Sequence, residues 1–397
     1  MSVPLLVLLA AFGGANDLAA SGAVARASAA AQPPPPVAAT VAPAAAPAAA
    51  GRDPLRYPFA SNSIWNMPIG EGARYVPAKL SGTPGNNIWA GMPFVDEEKI
   101  VLRPSAPLTR LHHSSAAWSG KDRCKPGGGL VVSVPMPSDY VVPHSTENNS
   151  AVFLMPDRRT IVQTQPLTRC TAGAPGTSMA KFANVDLYGN GITGSHGGSG
   201  LSALGGSIRL GELRPGSATG PRHALKVNVY AKEALFRCAR QRQCFRWPAV
   251  AADSYAVGNY GSANHNRNAA MKMGALLAIP YSTPIASLKL ETAPARQLAW
   301  TLQNYGAYIV DDTSAPGFAL NAEDGPDGSK RAQFKADWGF DMAQKVADNT
   351  AWRRDVQKLV EALHVVNNNG PRSLGGGGAP RQPLAAPFAP GAGQRLP

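Results

Sequence analysis

The sequence predicts a β-rich α+β protein, a β-sandwich or barrel body with a few helices toward its C-terminus. Three observations predict it. Short β-prone runs recur between residues 130 and 165, with turn residues at short spacing between them. A glycine-dense block over residues 184–224 feeds the alternating run Leu225-Lys226-Val227-Asn228-Val229-Tyr230, which reads as a half-buried strand. Sustained helical periodicity comes only after residue 290.

From the N-terminus, residues 3–12 form an apolar run too short for a bilayer, which needs about 20 residues. Small residues follow, and Ala27-Ser28-Ala29 fits an A-x-A cleavage pattern. Residues 1–31 therefore read as a signal peptide, although no Lys or Arg precedes the apolar run. Residues 32–52 are almost wholly Pro and Ala, a composition that stays extended and buries no core. The expected body spans 53–370, with a candidate subdivision near 231, and 371–397 is a Gly/Pro/Ala tail expected to be disordered. No other segment is long and apolar enough for a transmembrane helix.

Cys124, Cys170, Cys238 and Cys244 make an even set in a chain that carries an export signal, so disulfides are the expected state. Cys124–Cys170 and Cys238–Cys244 are the preferred pairs because each lies within one local region. Four thiolates around zinc are the rival, discounted because C-x2-C spacing is absent. The implied compartment is extracellular or periplasmic.

The formal net charge is +13, with a pI near 9.8. The basic residues are scattered, and neither zinc-finger spacing nor an RRM signature occurs, so nucleic acid is not the expected partner. An extracellular polysaccharide or cell-wall polymer of anionic character suits an exported basic chain, and a merely solubilising surface is the bland alternative.

Taking the elements in order, Trp65 sits in a turn bracketed by Pro58 and Pro68, as a sugar-stacking platform or a core plug. Trp118, Tyr188 and Trp247 are further candidate substrate-binding aromatics. His112 and His113 would point opposite ways on a strand, so at most one can line a site. Residues 130–135, 150–155 and 160–165 read as strands, the last two joined as a hairpin through Pro156-Asp157-Arg158-Arg159. Residues 231–236 are a short helix or loop, 253–268 a polar loop, and 273–280 a buried strand. A helix over 294–304 is capped by Thr292 and ended by Gly306. A strand over 307–310 exits at Asp311-Asp312, and a second helix over 352–366 presents Val356, Leu359, Val360 and Leu363 on one face.

The glycine-dense block, NVDLYGNGITGSHGGSGLSALGGSIRLGEL, is too rich in glycine for a regular element. It suits a loop whose backbone approaches a ligand closely. Asp186, His196 and Glu212 lie in it and His223 follows just ahead of the strand, with Asp311 and Asp312 further on. Acid/base cleavage of a glycosidic bond needs two carboxyl groups, or a carboxylate with His, Tyr or Lys. Asp186 or Asp311, paired with His196 or His223, supplies that chemistry. The alternatives are a turn cap for Asp186, a strand-end cap for Asp311, and a structural imidazole for His223. A metal site from His196, His223 and Asp186 lacks any short ligand spacing, so no metal and no cofactor are expected. The glycines carry no Walker Lys-Ser/Thr, and Gly198-Ser199-Gly200 lacks the G-x-S-x-G frame, which removes nucleotide phosphate binding and a serine nucleophile elbow.

The run HGGSGLSALGGSIRLGEL followed by RHALKVNVYA resembles a family of secreted, largely uncharacterised bacterial proteins that share this Gly-rich segment, then "HAL" and a strand. The likeness continues more weakly through Arg246-Trp247-Pro248-Ala249, Met273-Gly274-Ala275 and residues 304–311. It implies export and one family across the body, and it transfers no activity. The expected function is a secreted carbohydrate-active enzyme, a glycoside hydrolase or polysaccharide lyase. The rival is a non-catalytic envelope or polysaccharide-binding protein. Asp and His side chains converging in a cleft would favour the enzyme, and an aromatic face without them would favour the binder.

Overall fold

The computed structural model describes residues 51–80, 93–313 and 315–389. The signal peptide and nearly all of the linker lie outside the described residues. In chain order the strands are β1 (Tyr75–Pro77), β2 (Pro93–Val101), β3 (Leu108–His113), β4 (Leu130–Pro135), β5 (Ala151–Leu154), β6 (Thr160–Gln165), β7 (Gly176–Ser178) and β8 (Ala180–Lys181). They continue as β9 (Val185–Asp186), β10 (Thr193–His196), β11 (Leu225–Val229), β12 (Leu276–Ala278), β13 (Ala307–Asp312), β14 (Phe318–Gly325), β15 (Gly328–Ser329) and β16 (His364–Val366). The helices are α1 (Ala231–Ala234), α2 (Ala256–Asn259), α3 (Ala293–Asn304), α4 (Lys330–Trp338) and α5 (Ala351–Glu361).

Among the described residues strand outweighs helix, 26% to 16%, so the protein is β-rich α+β, with its longer helices toward the C-terminus as expected. Twelve strands form one mixed sheet whose main path is β1-β16-β12-β13-β11-β14-β2-β5-β6-β8, and β4-β3-β7 form a smaller one. The middle of the large sheet holds parallel pairs, β11 with β13, β14 with β2 and β2 with β5. These join residues more than 50 apart in sequence, which local turn signals do not announce. The β5–β6 hairpin pairs antiparallel, as its turn residues predict.

One face of the central strands is apolar. Leu225, Val227 and Val229 of β11 and Phe318 and Leu320 of β14 join one core cluster with Leu298 and Leu302 of α3 and Val356, Leu359 and Val360 of α5. The opposite face carries Lys226, Asn228, Asn321, Asp96 and Glu98, all buried. The alternation of β11 therefore does not mark a solvent face. It separates an apolar face from a buried polar one, because the glycine-dense block covers the second.

Several expectations are corrected. The second helix stops at Glu361, and residues 364–366 leave it as β16, because β1 and β12 flank that segment with open backbone groups. Thr292 stands at the N-cap of α3 but makes no side-chain cap bond; its hydroxyl donates to Asp355 Oδ2 at 2.8 Å. Asp311 and Asp312 lie inside β13 rather than beyond it. The described residues group as one unit, with no division near 231, since β11 is paired on both sides by strands after residue 300. Gly51 and Arg52, taken as linker, belong to the body: Arg52 Nη2 donates to Phe59 O at 2.7 Å.

The glycine tail is ordered through residue 389. Gly70 N and Gly72 N donate to Gly375 O and Gly377 O, Arg381 N donates to Ile69 O, and Arg52 N donates to Pro387 O. Composition reads as disorder here because the partners lie some 300 residues away. The disulfides pair as expected, Cys124–Cys170 and Cys238–Cys244. No helix among the described residues is long and apolar enough to cross a membrane. Deleting residues 371–397 should lower the thermal unfolding midpoint, whereas a disordered tail would leave it unchanged. A loss of ~1 kcal/mol moves a large domain by about 2 °C, so scanning calorimetry resolves the difference.

Candidate active site

The polar face is built by strand alternation. Asp96 and Glu98 on β2, Lys226 and Asn228 on β11, and Asn321 and Glu323 on β14 are each two residues apart, so each pair shares a face. Asn321 is level with Asp96 and Glu323 with Glu98 across the parallel β14–β2 pair. Asp311 reaches the same face through a bulge. Val227 pairs Ile309, but Asn228 pairs Asp311, so β13 has one extra residue there. A regular strand would turn Asp311 to the side of Ile309, among the helices; the bulge re-aims it beside Asn228.

The glycine-dense block closes over this face. Lys226, fully buried, donates to Glu98 Oε1 at 2.9 Å and to the carbonyls of Ser202 at 3.1 Å and Ala203 at 2.7 Å. His196, also fully buried at the end of β10, places Nε2 2.8 Å from Glu98 Oε1, 2.6 Å from Asn321 Oδ1 and 3.7 Å from Asp96 Oδ2. Its Nδ1 faces Asp311 Oδ2 at 3.5 Å. Asn228 and Asn148 each donate to Asp96 Oδ2 at 2.8 Å, and Asn321 donates to Asn228 Oδ1 at 3.0 Å, which turns the Asn321 amide oxygen toward His196. Burial opposes the charge on His196, but the Glu98 carboxylate and the contacts to Asp311 and Glu98 outweigh it and raise its pKa to about 10. Burial also pushes Asp96 upward, reinforced by the charge of Glu98. Burial pushes Glu98 the same way, but Lys226 and His196 prevail and hold it below its ordinary value.

At the edge of this face two carboxyl groups meet the backbone of Gly197-Gly198. A Cβ at Gly197 would collide with Asp311 Oδ2, and one at Gly198 with Asp253 Oδ2. Gly198 N donates to Asp311 Oδ1 at 3.1 Å. The glycines here serve close approach, and the molecules approached are the protein's own carboxylates. Tyr260 OH donates to Asp253 Oδ2 at 2.5 Å, and Tyr255 OH donates to Asp312 Oδ2 at 3.3 Å. Asp253 is half-buried, while Tyr255 is 48% exposed. Burial and then the neighbouring charge of Asp311 raise the Asp253 pKa to about 7, with the Tyr260 bond pulling the other way.

Of the sequence-predicted residues, His196 and Asp311 come together and the others stand apart. Asp186 on β9 pairs with Arg159 at 2.5 Å and accepts from Tyr188 N. His223 uses both ring nitrogens, Nε2 with Glu212 at 3.1 Å and Nδ1 with Ala224 O at 2.9 Å. Burial lowers His223, but the Glu212 carboxylate reverses this and raises it, so the pair is an ion pair that closes the block. Both nitrogens are engaged in holding the block closed, which is the structural alternative for His223. It lies beside a cavity of about 320 Å³ lined by Arg56, Tyr57, Arg209, Glu212 and Glu323.

Trp65 is 2% exposed, its Nε1 donates to Gly191 O at 2.7 Å, and its ring meets Tyr308 edge-on at 5.5 Å. It plugs the core, and the sugar-platform reading falls. Trp247 is half-buried against the same core cluster. Tyr188 packs on Phe388 at 4.9 Å under the Arg159 guanidinium. Trp118 remains 41% exposed, on the loop after β3.

Sequence reasoning missed Asp253, Asp96, Glu98, Lys226, Asn228 and Asn321. In β11 and β14 the signal was charge and amide at alternate positions, which can be read as a solvent face or as a buried site; β2 carries four consecutive charges, and Asp253 lies in a polar loop, so neither shows that pattern. Compared with known proteins, the chain matches no family model, no curated protein and no solved structure.

Two outcomes follow. His223→Ala removes the hydrogen-bonded cation from Glu212, which keeps the bond from Arg209 N, and should cost about 1–3 kcal/mol of unfolding free energy, measured by denaturant titration. The raised Asp253 pKa favours its protonated form in the fold, so its contribution to stability is complete below its ordinary 3.8 and is lost as pH rises to about 7. Asp253→Asn should flatten the decline of the unfolding midpoint across that window.

Proposed function

We propose that this is a secreted carbohydrate-active enzyme that cleaves an extracellular polysaccharide by acid/base catalysis, with Asp253 and Asp311 as its working pair. The observation that carries the reading is the juxtaposition of two carboxyl groups on Gly197-Gly198, one held by a tyrosine hydroxyl and the other beside His196. Two carboxyl groups in unlike environments are what splits the roles of acid and base. Asp253, protonated below about 7, gives its proton to the glycosidic oxygen as the C–O bond breaks. Asp311 accepts the proton released by the attacking water in a hydrolase, or by the sugar ring carbon in a lyase. Tyr255, 48% exposed and bonded to Asp312 next to Asp311, offers an aromatic surface that suits a sugar ring.

Export is supported by the leader-like N-terminus, by the two disulfides and by the likeness to a family of secreted bacterial proteins. The net charge of +13 favours an anionic polymer.

The test is a screen of the purified protein on neutral and anionic polysaccharides for new reducing ends or ultraviolet-absorbing unsaturated products. Asp253→Asn and Asp311→Asn should each lower kcat/KM about a hundredfold or more. The wild-type rate should fall as pH rises through about 7, where Asp253 loses its proton. Retention on a polysaccharide without any product would instead make the protein a non-catalytic binder.

A further inference from the structure

We propose that Asp96, Glu98 and His196, with the amide oxygen of Asn321, form a site for one divalent transition-metal ion of nitrogen and oxygen preference, such as Mn²⁺ or Zn²⁺. This does not depend on the polysaccharide reading.

The donor atoms of Asp96, Glu98 and His196 lie within 4.8 Å of one another, all in buried residues. Metal–ligand bonds of about 2.1 Å place neighbouring donors about 3.0–3.4 Å apart. From His196 Nε2, Asn321 Oδ1 stands at 2.6 Å, Glu98 Oε1 at 2.8 Å and Asp96 Oδ2 at 3.7 Å, which brackets that spacing. One nitrogen with three oxygens selects a first-row transition metal over Ca²⁺.

The second, independent observation is an unpaired anionic oxygen. Glu98 is 1% exposed, and its Oε2 is buried with no hydrogen-bond partner among the described residues. Most buried side-chain polar atoms have a partner, and this orphan belongs to the carboxyl group whose other oxygen stands 2.8 Å from His196 Nε2, so a cation bound there would satisfy it. His196 Nδ1, also without a bonded partner, faces the Asp311 carboxylate. That is the outer-shell arrangement in which a carboxylate orients a metal-bound imidazole.

The supporting shell is complete on the other sides. Asn228 and Asn148 hold Asp96, and Asn228 orients Asn321. Lys226 holds Glu98 Oε1 while anchored on two carbonyls of the block. The charges also balance. Asp96, Glu98 and Asp311 bring three negative charges around a neutral imidazole, and Lys226 offsets one. A divalent ion offsets the other two. The competing arrangement replaces the ion by a proton on His196, and it leaves Glu98 Oε2 orphaned.

The experiment uses the full secreted chain, stripped with a chelator and then titrated with MnCl₂ or ZnCl₂ by calorimetry, with metal content measured after gel filtration. The expected result is one ion per chain, a thermal midpoint that rises with metal concentration, and a nitrogen ligand in the X-ray absorption or Mn²⁺ resonance spectrum. Glu98→Gln and His196→Gln should weaken binding at least tenfold, and Asp186→Asn, outside the site, should leave it unchanged. The spectrum is taken on wild type, so it decides the matter even where a variant fails to fold. Three results overturn the proposal: a stripped chain that takes up no ion, a bound ion with oxygen ligands alone, or binding that survives both substitutions in folded protein.

Discussion

The burial of Lys226 in the middle of β11 is the constraint on which the rest of the structure depends. An ammonium group cannot be taken out of water unless its donors are met. Here one acceptor is a carboxylate two strands away, on β2, and the others are carbonyls of Ser202 and Ala203. A single side chain therefore ties the register of β11, β14 and β2 to the conformation of the glycine-dense block. The block is a lid fixed in place by the charge beneath it, and the polar face of the sheet stays dry because the lid is there.

The same dryness gives the neighbouring groups their character. His196 is held between Glu98 and Asp311 where water cannot screen either carboxylate. Asp253, at the edge of the lid, is partly desolvated and feels Asp311, so its proton is retained to about 7. An acid that keeps its proton and a carboxylate beside it are produced by position alone, with no unusual residue type involved. The bulge in β13 is the mechanical step that makes this arrangement, because it turns Asp311 away from the helices and toward Gly198 N.

Across the same face, Arg209 bonds Glu323 at 2.8 Å and Glu212 bonds His223, so the polar seam continues to the cavity near Arg56. Here the ion pairs satisfy one another and serve to hold the block's far end. His196 and His223 sit in one sequence block and look alike on paper. One has a nitrogen facing a carboxylate without a bonded partner, and the other has none free.

What the sequence by itself determined is local: the hairpin of β5 and β6, the strand at 225–229, the helix at 293–304, both disulfide pairs, and a special role for the block holding His196. Apart from Cys124–Cys170, whose partners are 46 residues apart, each follows from residues close together in the chain, where turn chemistry and periodicity act. Tertiary structure decided the rest. The parallel pairing of β14 with β2 set Asn321 beside Asp96, and the bulge chose the face of Asp311. The loop after Trp247 brought Asp253 to Gly198, and the glycine tail became ordered against residues 69–72. Alternation tells which residues share a face but not whether that face meets water or a covering loop. Lys226 and Asn228 read as solvent-facing until a segment more than 20 residues away is folded over them, and that is why the site lay outside the reach of the sequence.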